Sequence, residues 1–301
     1  MLGFSQLRAF EAVTRTGSFT KAAERLHVTI PAVSLQIRQL EREHGVRLFD
    51  RIGRRVRLTP AGEALRQYAD RIFTLARDAE RALQGTADFR GTRLRLAATP
   101  TTAGYYLASF WKRLRRRYPG LQLEVSVHNT RVVRERLLAF DDDLGMLGGP
   151  AEQGALIVRS FARDTMVAIV SPDHAWARRK SVTLQALGRE LLILREPGSA
   201  GRDRLERALR TAGIEPRAVM ELASTEAIKQ AVEANGGVGI LARAVVERDV
   251  RGGHLRALRV TGGDLRLELA FAYHRERADS PLLRAVLAAI IGASRPLKTK
   301  Q

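Results

Sequence analysis

The chain contains no cysteine in 301 residues. Disulfides, thiolate metal sites and cysteine nucleophiles are therefore excluded. It has no apolar run of about 18 residues, so no membrane span is predicted. The opening MLGFSQLRAFEAV lacks the apolar block and cleavage site of a signal peptide. It reads instead as an amphipathic helix with Leu7, Phe10 and Val13 on one side. These absences predict a cytoplasmic protein. Catalytic signatures are missing as well. No H-E-x-x-H, Walker A or G-x-G-x-x-G occurs, and Gly236-Gly237-Val238-Gly239 reads as a turn into a strand. Ser171-Pro172-Asp173-His174 brings three catalytic residue types together, but no G-x-S-x-G elbow precedes it. The expectation is a protein that is not an enzyme and carries no cofactor or metal.

Acidic residues are scarce: 32 against 51 basic ones, a net charge of +19. The excess is densest at the start. Residues 1–60 hold 11 basic and 5 acidic side chains, a net +6. Clustered positive charge points to nucleic acid more firmly than net charge does.

That region has a readable shape. Ser18 can cap a helix ending near Leu26, with small Ala22 and Ala23 on its inner face. His27-Val28 forms a turn, with Val28 expected to plug the corner. Thr29 caps a second helix with Pro31 in its first turn, where a missing N–H is harmless. Val33, Ile37 and Leu40 face inward by spacing. Ile30, Ser34 and Arg38 form the outward row, with Pro31 and Leu35 beside it. Gly45 ends the helix. Arg47 to Asp50 and Val56 to Thr59 then alternate as two short strands. Their connection, Arg51 to Arg55, carries a glycine and three arginines, Arg51, Arg54 and Arg55. A helix-turn-helix with a basic hairpin suits the major groove, the arginines meeting phosphates or a narrow minor groove.

Thr59-Pro60 opens a further helix. Ala61, Leu65, Tyr68, Ile72, Leu75, Ala79 and Ala82 repeat at 4-3 spacing, a short heptad seam suited to pairing two DNA-reading heads. Two heads read an inverted repeat with half-sites about 34–36 Å apart per helical turn. Gly85 to Gly91 reads as a hinge.

Strands and helices alternate from Thr92. Strands are expected at Leu94–Ala98, Leu121–His128, Leu144–Leu147, Met166–Ser171, Leu191–Arg195, Ala218–Leu222, Val238–Leu241 and Leu267–Tyr273. Helices are expected at Tyr105–Tyr118, Val132–Phe140 and Pro281–Ile291. The order implies parallel sheet in two lobes around a cleft. Ligands of such sheets bind at strand carboxyl ends. Four hydroxyl- or glycine-rich segments lie there: Thr99 to Thr102, Asn129-Thr130, Glu196 to Gly201, and Ser224-Thr225. Each precedes a helix whose free N–H groups favour anions. The basic run Lys112 to Arg117 reads as a solvated helix face, with a second DNA surface as the alternative.

Residues 4–85, with AFEAVTRTGSFTKAAERLHVTIPAVSLQIRQLE, LFDR and LTPAGE, resemble a LysR-type transcriptional regulator. The resemblance continues through TPTTAGYYL, ILREPGS and ELASTEAIKQAVEANGG. It implies an α+β protein in three parts: a winged helix-turn-helix (1–59), a linker helix and hinge (60–91), and a two-lobed α/β effector domain of periplasmic-binding-protein type (92–301). It further implies a homotetramer built as a dimer of dimers, switched by a small molecule and in contact with RNA polymerase. By motif position, Thr29, Ile30, Pro31, Ser34, Leu35 and Arg38 meet the groove, with Arg51, Arg54 and Arg55 on the wing. Thr99, Thr101, Thr102, Asn129, Thr130, Ser199 and Thr225 match effector-cleft positions. Ile30 stands where the family usually has glutamine. REPGS and LASTEAIKQAV are similar to regulators of carbon fixation and of sulfite or cysteine metabolism. Their effectors imply a small anion or phosphorylated metabolite here. The competing expectation is an architectural DNA binder without sequence preference.

Overall fold

A computed structural model describes residues 2–52, 55–84, 89–149, 154–216 and 218–291. It divides into two compact units, Met1–Gly85 and Thr86–Gln301. No helix among the described residues is long and apolar enough to cross a membrane.

The first unit begins with helices α1 (Phe4–Thr16), α2 (Phe19–Leu26) and α3 (Ile30–His44). Ser18 and Thr29 cap α2 and α3 by accepting from the backbone N–H groups of Lys21 and Ala32. Gly17 and Gly45 end α1 and α3 in the left-handed conformation. Phe10, Val13, Ala22, Ala23, Val33, Ile37 and Leu40 fuse the three helices into one core. Zero-exposure Ala22 lets the helices cross closely. Strands β1 (Phe49–Ile52) and β2 (Arg55–Leu58) form the hairpin, Phe49 facing Leu58 and Ile52 facing Arg55. The first strand thus starts later than the expected Arg47. The cause is Leu48, whose N–H donates to Glu41 Oε1 and whose carbonyl accepts from Thr59.

Helix α4 (Pro60–Gln84) packs on this unit. Ala69 and Phe73 are buried in its core, with Ala61 and Leu65 against it, and Phe4 meets Phe73 edge-on at 5.1 Å. The heptad seam therefore divides. Ala61 and Leu65 turn to the unit's own core, while Tyr68, Ile72 and Leu75 are exposed. Of the rest of the seam, Ala79 is exposed, and the Ala82 side chain lies outside the described part. Gly62 is the tightest joint. A Cβ there would collide with the Leu48 carbonyl and the Leu58 side chain. Gly62→Ala is expected to destabilise this unit by about 1–3 kcal/mol, the range for overpacking. Chemical denaturation monitored by far-UV circular dichroism checks it; an unchanged midpoint would refute the joint.

The second unit opens with β3 (Arg93–Ala98), α5 (Pro100–Tyr105), α6 (Leu107–Arg117), β4 (Gln122–Val127), α7 (Thr130–Leu138) and β5 (Leu144–Gly148). Strands β4, β3 and β5 are parallel, in that order. The single expected helix from Tyr105 to Tyr118 is broken at Tyr106, whose N–H still bonds Thr102 and whose ring packs on Phe161. Of the expected hinge, residues 85–88 lie outside the described ones. Phe89 is buried against Tyr118 at 5.1 Å.

Strand β6 (Leu156–Val170) leads into the second lobe. That lobe holds β7 (Ser181–Thr183), α8 (Leu184–Leu187), β8 (Leu191–Leu194), α9 (Ala200–Thr211), β9 (Ala218–Glu221), α10 (Thr225–Glu233), β10 (Val238–Ala242), α11 (Arg243–Arg251) and β11 (Arg256–Thr261). Then β12 (Arg266–His274) returns to the first lobe, ahead of α12 (Pro281–Ile291). Residues 156–165 of β6 pair with β12, and residues 166–170 pair with β10 and β11. One strand thus serves both lobes. It starts ten residues before the expected Met166, because its first part is held by long-range pairing with β12 and not by local pattern. Asp164 sits at this crossing and accepts from the backbone of Ala244 at the start of α11. Burial pushes its carboxyl up, against the pull of those backbone N–H donors.

Candidate nucleic-acid interface and ligand cleft

The outward face of α3 follows from its inward one. Val33, Ile37 and Leu40 are buried, so the residues about 100° away must meet solvent. Thr29, Ile30, Pro31, Leu35 and Arg38 are exposed and Ser34 is half-buried. Ile30 and Leu35 are apolar yet 44% and 48% exposed. Val28 differs from expectation. It is 47% exposed rather than plugging the corner. His27 adopts a left-handed conformation that turns the chain, and Leu26 packs on the core instead. In the wing, Arg51 pairs with Val56 and Arg55 with Ile52 across the hairpin. Arg54 lies outside the described residues.

In the second unit, the segments after β3, β4 and β8 converge. Thr99, Thr101, Asn129, Thr130 and Ser199 line one cleft, with Gly148, Gly201, Leu267 and Leu269. Asn129 Oδ1 caps α7 by accepting from Val132 N–H at 3.0 Å, and its Nδ2 reaches the Pro197 carbonyl at 3.4 Å. The backbone N–H of Arg131 donates to the Gly198 carbonyl at 3.1 Å, joining the two lobes at the rim. Among the described residues, the hydroxyls of Thr101, Thr130 and Ser199 make no hydrogen bond within the chain.

Two expected lining residues sit elsewhere. Thr102 is fully buried, and its hydroxyl donates to the Met146 carbonyl at 2.7 Å. It also accepts from Thr99 N–H at 3.0 Å, so it anchors the loop behind the cleft. Thr225 lies in a neighbouring cavity with Tyr105, Lys229 and Arg248. Its Oγ1 accepts from Arg195 Nη1 at 3.3 Å and so touches the cleft through that side chain.

Arg195 itself is the residue that sequence reasoning missed. It is only 8% exposed and lines the cleft. Glu196 holds its guanidinium at two points, 2.8 and 2.9 Å. A buried guanidinium with a planar fork is the side chain best suited to a carboxylate or phosphate. The signal was present in Arg195-Glu196 at the end of an apolar strand, since a charge there needs a partner.

The comparisons fit both halves. A family model described as bacterial regulatory helix-turn-helix protein, lysR family, matches residues 4–63. A second, the LysR substrate binding domain, matches residues 87–295. The chain belongs to the LysR family. It is 33% identical to the RuBisCO operon transcriptional regulator of Allochromatium vinosum, over 92% of this chain and 91% of that one. It is 30% identical to the HTH-type transcriptional regulator CysL of Bacillus subtilis, over 90% of each. The carbon-fixation and cysteine-related resemblances both appear among its relatives. The regulatory domain of Synechocystis PCC6803 CcmR in complex with 2-PG matches with a TM-score of 0.62 and 26% identity, covering 68% of this chain and 98% of that one. As a LysR-family protein the chain is a DNA-binding transcriptional regulator with a small-molecule effector domain, and the architectural alternative falls away.

Proposed function

We propose that this LysR-family regulator reads an inverted-repeat operator through Thr29, Ile30, Pro31, Ser34, Leu35 and Arg38, with Arg51, Arg54 and Arg55 on the wing. Its effector is a small anion or phosphorylated metabolite held by Thr99, Thr101, Asn129, Thr130, Ser199 and Arg195. The observation that carries the effector class is the buried Arg195 facing hydroxyls at the starts of α7 and α9. A guanidinium, two helix N-termini and unbonded hydroxyls together favour negative charge. The 2-PG bound by CcmR supports the same class. The protein acts in the cytoplasm as a dimer of dimers and catalyses nothing. Effector binding shifts the two lobes between arrangements through its differential affinity for them. That shift alters the geometry of the paired heads on DNA and their access to RNA polymerase.

Selection of bound DNA from a random library, at fixed near-physiological salt, tests the reading. It is run with and without 2-PG, phosphoenolpyruvate, sugar bisphosphates, sulfite and sulfate. An inverted repeat whose footprint changes with one anion is the expected result; a repeat that no anion alters would count against the effector class. Ile30 gives a sharper check within the same assay. Isoleucine offers a base only apolar contact, whereas glutamine pairs bidentately with adenine. Ile30→Gln should shift preference at one base pair of each half-site by about 1–3 kcal/mol. An identical profile across single-base operator variants would remove Ile30 from the reading face.

A further inference from the structure

We infer that helix α6 is a second DNA-binding face, which grips phosphates beyond the operator sequence read by the winged helix. The inference rests on the DNA-binding reading of the first unit. Helix α6 reads LASFWKRLRRR, with five cations in the six residues 112–117 and no carboxylate anywhere. Phe110 and Leu114 are buried, and this fixes which side faces out. Lys112, Arg115 and Arg116 are exposed at i, i+3 and i+4, on one strip of surface.

Three other helices of this unit each pair one arginine with a carboxylate on the same helix. Arg131 meets Glu135, Arg202 meets Glu206 and Arg251 meets Glu247, each four residues apart. In α6, Arg113 donates to the Ile290 carbonyl and Arg117 lies over the Tyr118 ring at 5.2 Å. Lys112, Arg115 and Arg116 have no ion pair or hydrogen-bonded side-chain partner among the described residues. Like charges at i+3 and i+4 repel each other along a helix. The helix dipole favours cations in the last turn, which accounts for Arg115 and Arg116 but not for Lys112 in the middle. An external polyanion relieves all three. DNA presents one negative charge per about 1.7 Å of axis. It is also already held by the first unit, so the second contact forms at high effective concentration.

The experiment measures operator affinity of the full chain against salt. One duplex ends at the selected inverted repeat; the other continues well past it on both sides. Lys112→Gln/Arg115→Gln/Arg116→Gln is compared with Arg178→Gln/Lys180→Gln/Arg189→Gln, which removes the same charge from exposed positions elsewhere on this unit. Each lost phosphate contact lowers the slope of log affinity against log salt by about 0.9. The α6 triple should lose up to about 2.7 of slope on the long duplex and nothing on the short one. The control triple should change neither. An unchanged slope, an equal loss on both duplexes, or an equal loss from both triples overturns the inference. So does unchanged DNA binding with altered transcription, which points to an acidic protein partner instead. If the α6 triple does not fold, Arg116→Gln alone should lower the long-duplex slope by about 0.9. Absence of any sequence preference in the unmodified protein would be a failure of the operator reading, seen before any variant is made.

Discussion

Replacing Arg195 with alanine should abolish the response to effector while leaving operator binding in its absence intact. The side chain is buried in the cleft, held by Glu196 at two points and by Thr225 at a third. Removing one partner of a desolvated, hydrogen-bonded charge pair costs about 2–5 kcal/mol of binding. At about 1.4 kcal/mol per decade, that is a loss of roughly 30- to several-thousand-fold in affinity. Calorimetric titration with the anion recovered from the selection reads it directly. Glu196 gives a result of opposite sign. Its carboxylate competes with an incoming anion for the same guanidinium, so Glu196→Gln should tighten anion binding. Unchanged affinity in Arg195→Ala, or weaker binding in Glu196→Gln, would take the arginine out of the site.

The largest effect on stability is expected at Asp143. This carboxylate joins three segments of the first lobe. It accepts from Arg95 twice, from the backbone N–H at 2.8 Å and from Nη2 at 3.0 Å, and it pairs with Arg277. Arg277 is 3% exposed, so it has no recourse to water when its partner goes. Breaking a buried pair on one side costs about 3–5 kcal/mol. Asp143→Ala should therefore lower the melting temperature of this unit by roughly 6–20 °C. The double variant Asp143→Leu/Arg277→Met should recover part of that loss, because it removes the more deeply buried cation while Arg95 still loses its carboxylate partner.

The same residue sets a pH dependence. Burial by itself would raise the Asp143 carboxyl, but Arg277 and Arg95 outweigh it and hold it below the ordinary carboxylate range. A carboxylate with a depressed folded-state pKa stabilises fully above its unfolded value. That contribution shrinks as pH falls below about 4 and is gone beneath the folded value. Thermal melts of wild type and Asp143→Ala should therefore differ at pH 7 and converge in acid. A constant gap from pH 7 to pH 3 would assign the loss to packing rather than charge.

Much of the DNA-reading unit was legible because its determinants are local. Ser18, Thr29 and Gly45 punctuate the helices, and the spacing of Val33, Ile37 and Leu40 dictates which residues of α3 face out. Five of the seven proposed cleft residues lie together because a hydroxyl at a strand's carboxyl end and a helix N-cap occupy the same place in an α/β unit. Thr102 and Thr225 escaped because side-chain direction at a helix start depends on what lies beneath. For Thr102 that is the Met146 carbonyl, 44 residues away.

The sequence by itself determined the family, the order of DNA-reading and effector parts, the capped recognition helix and the hydroxyl-bearing strand ends. Each of these is written within a dozen residues, in caps, turns and periodicity. Tertiary structure alone decided that Leu65 turns inward beside Ala69 and Phe73 while Tyr68 and Leu75 stay outside, and that β6 starts at Leu156. It also decided that Arg195 faces the cleft and that Asp143 carries two arginines. These depend on contacts between distant segments, for which a local pattern has no term: strand pairing, burial and charge compensation are settled only when both partners are in place.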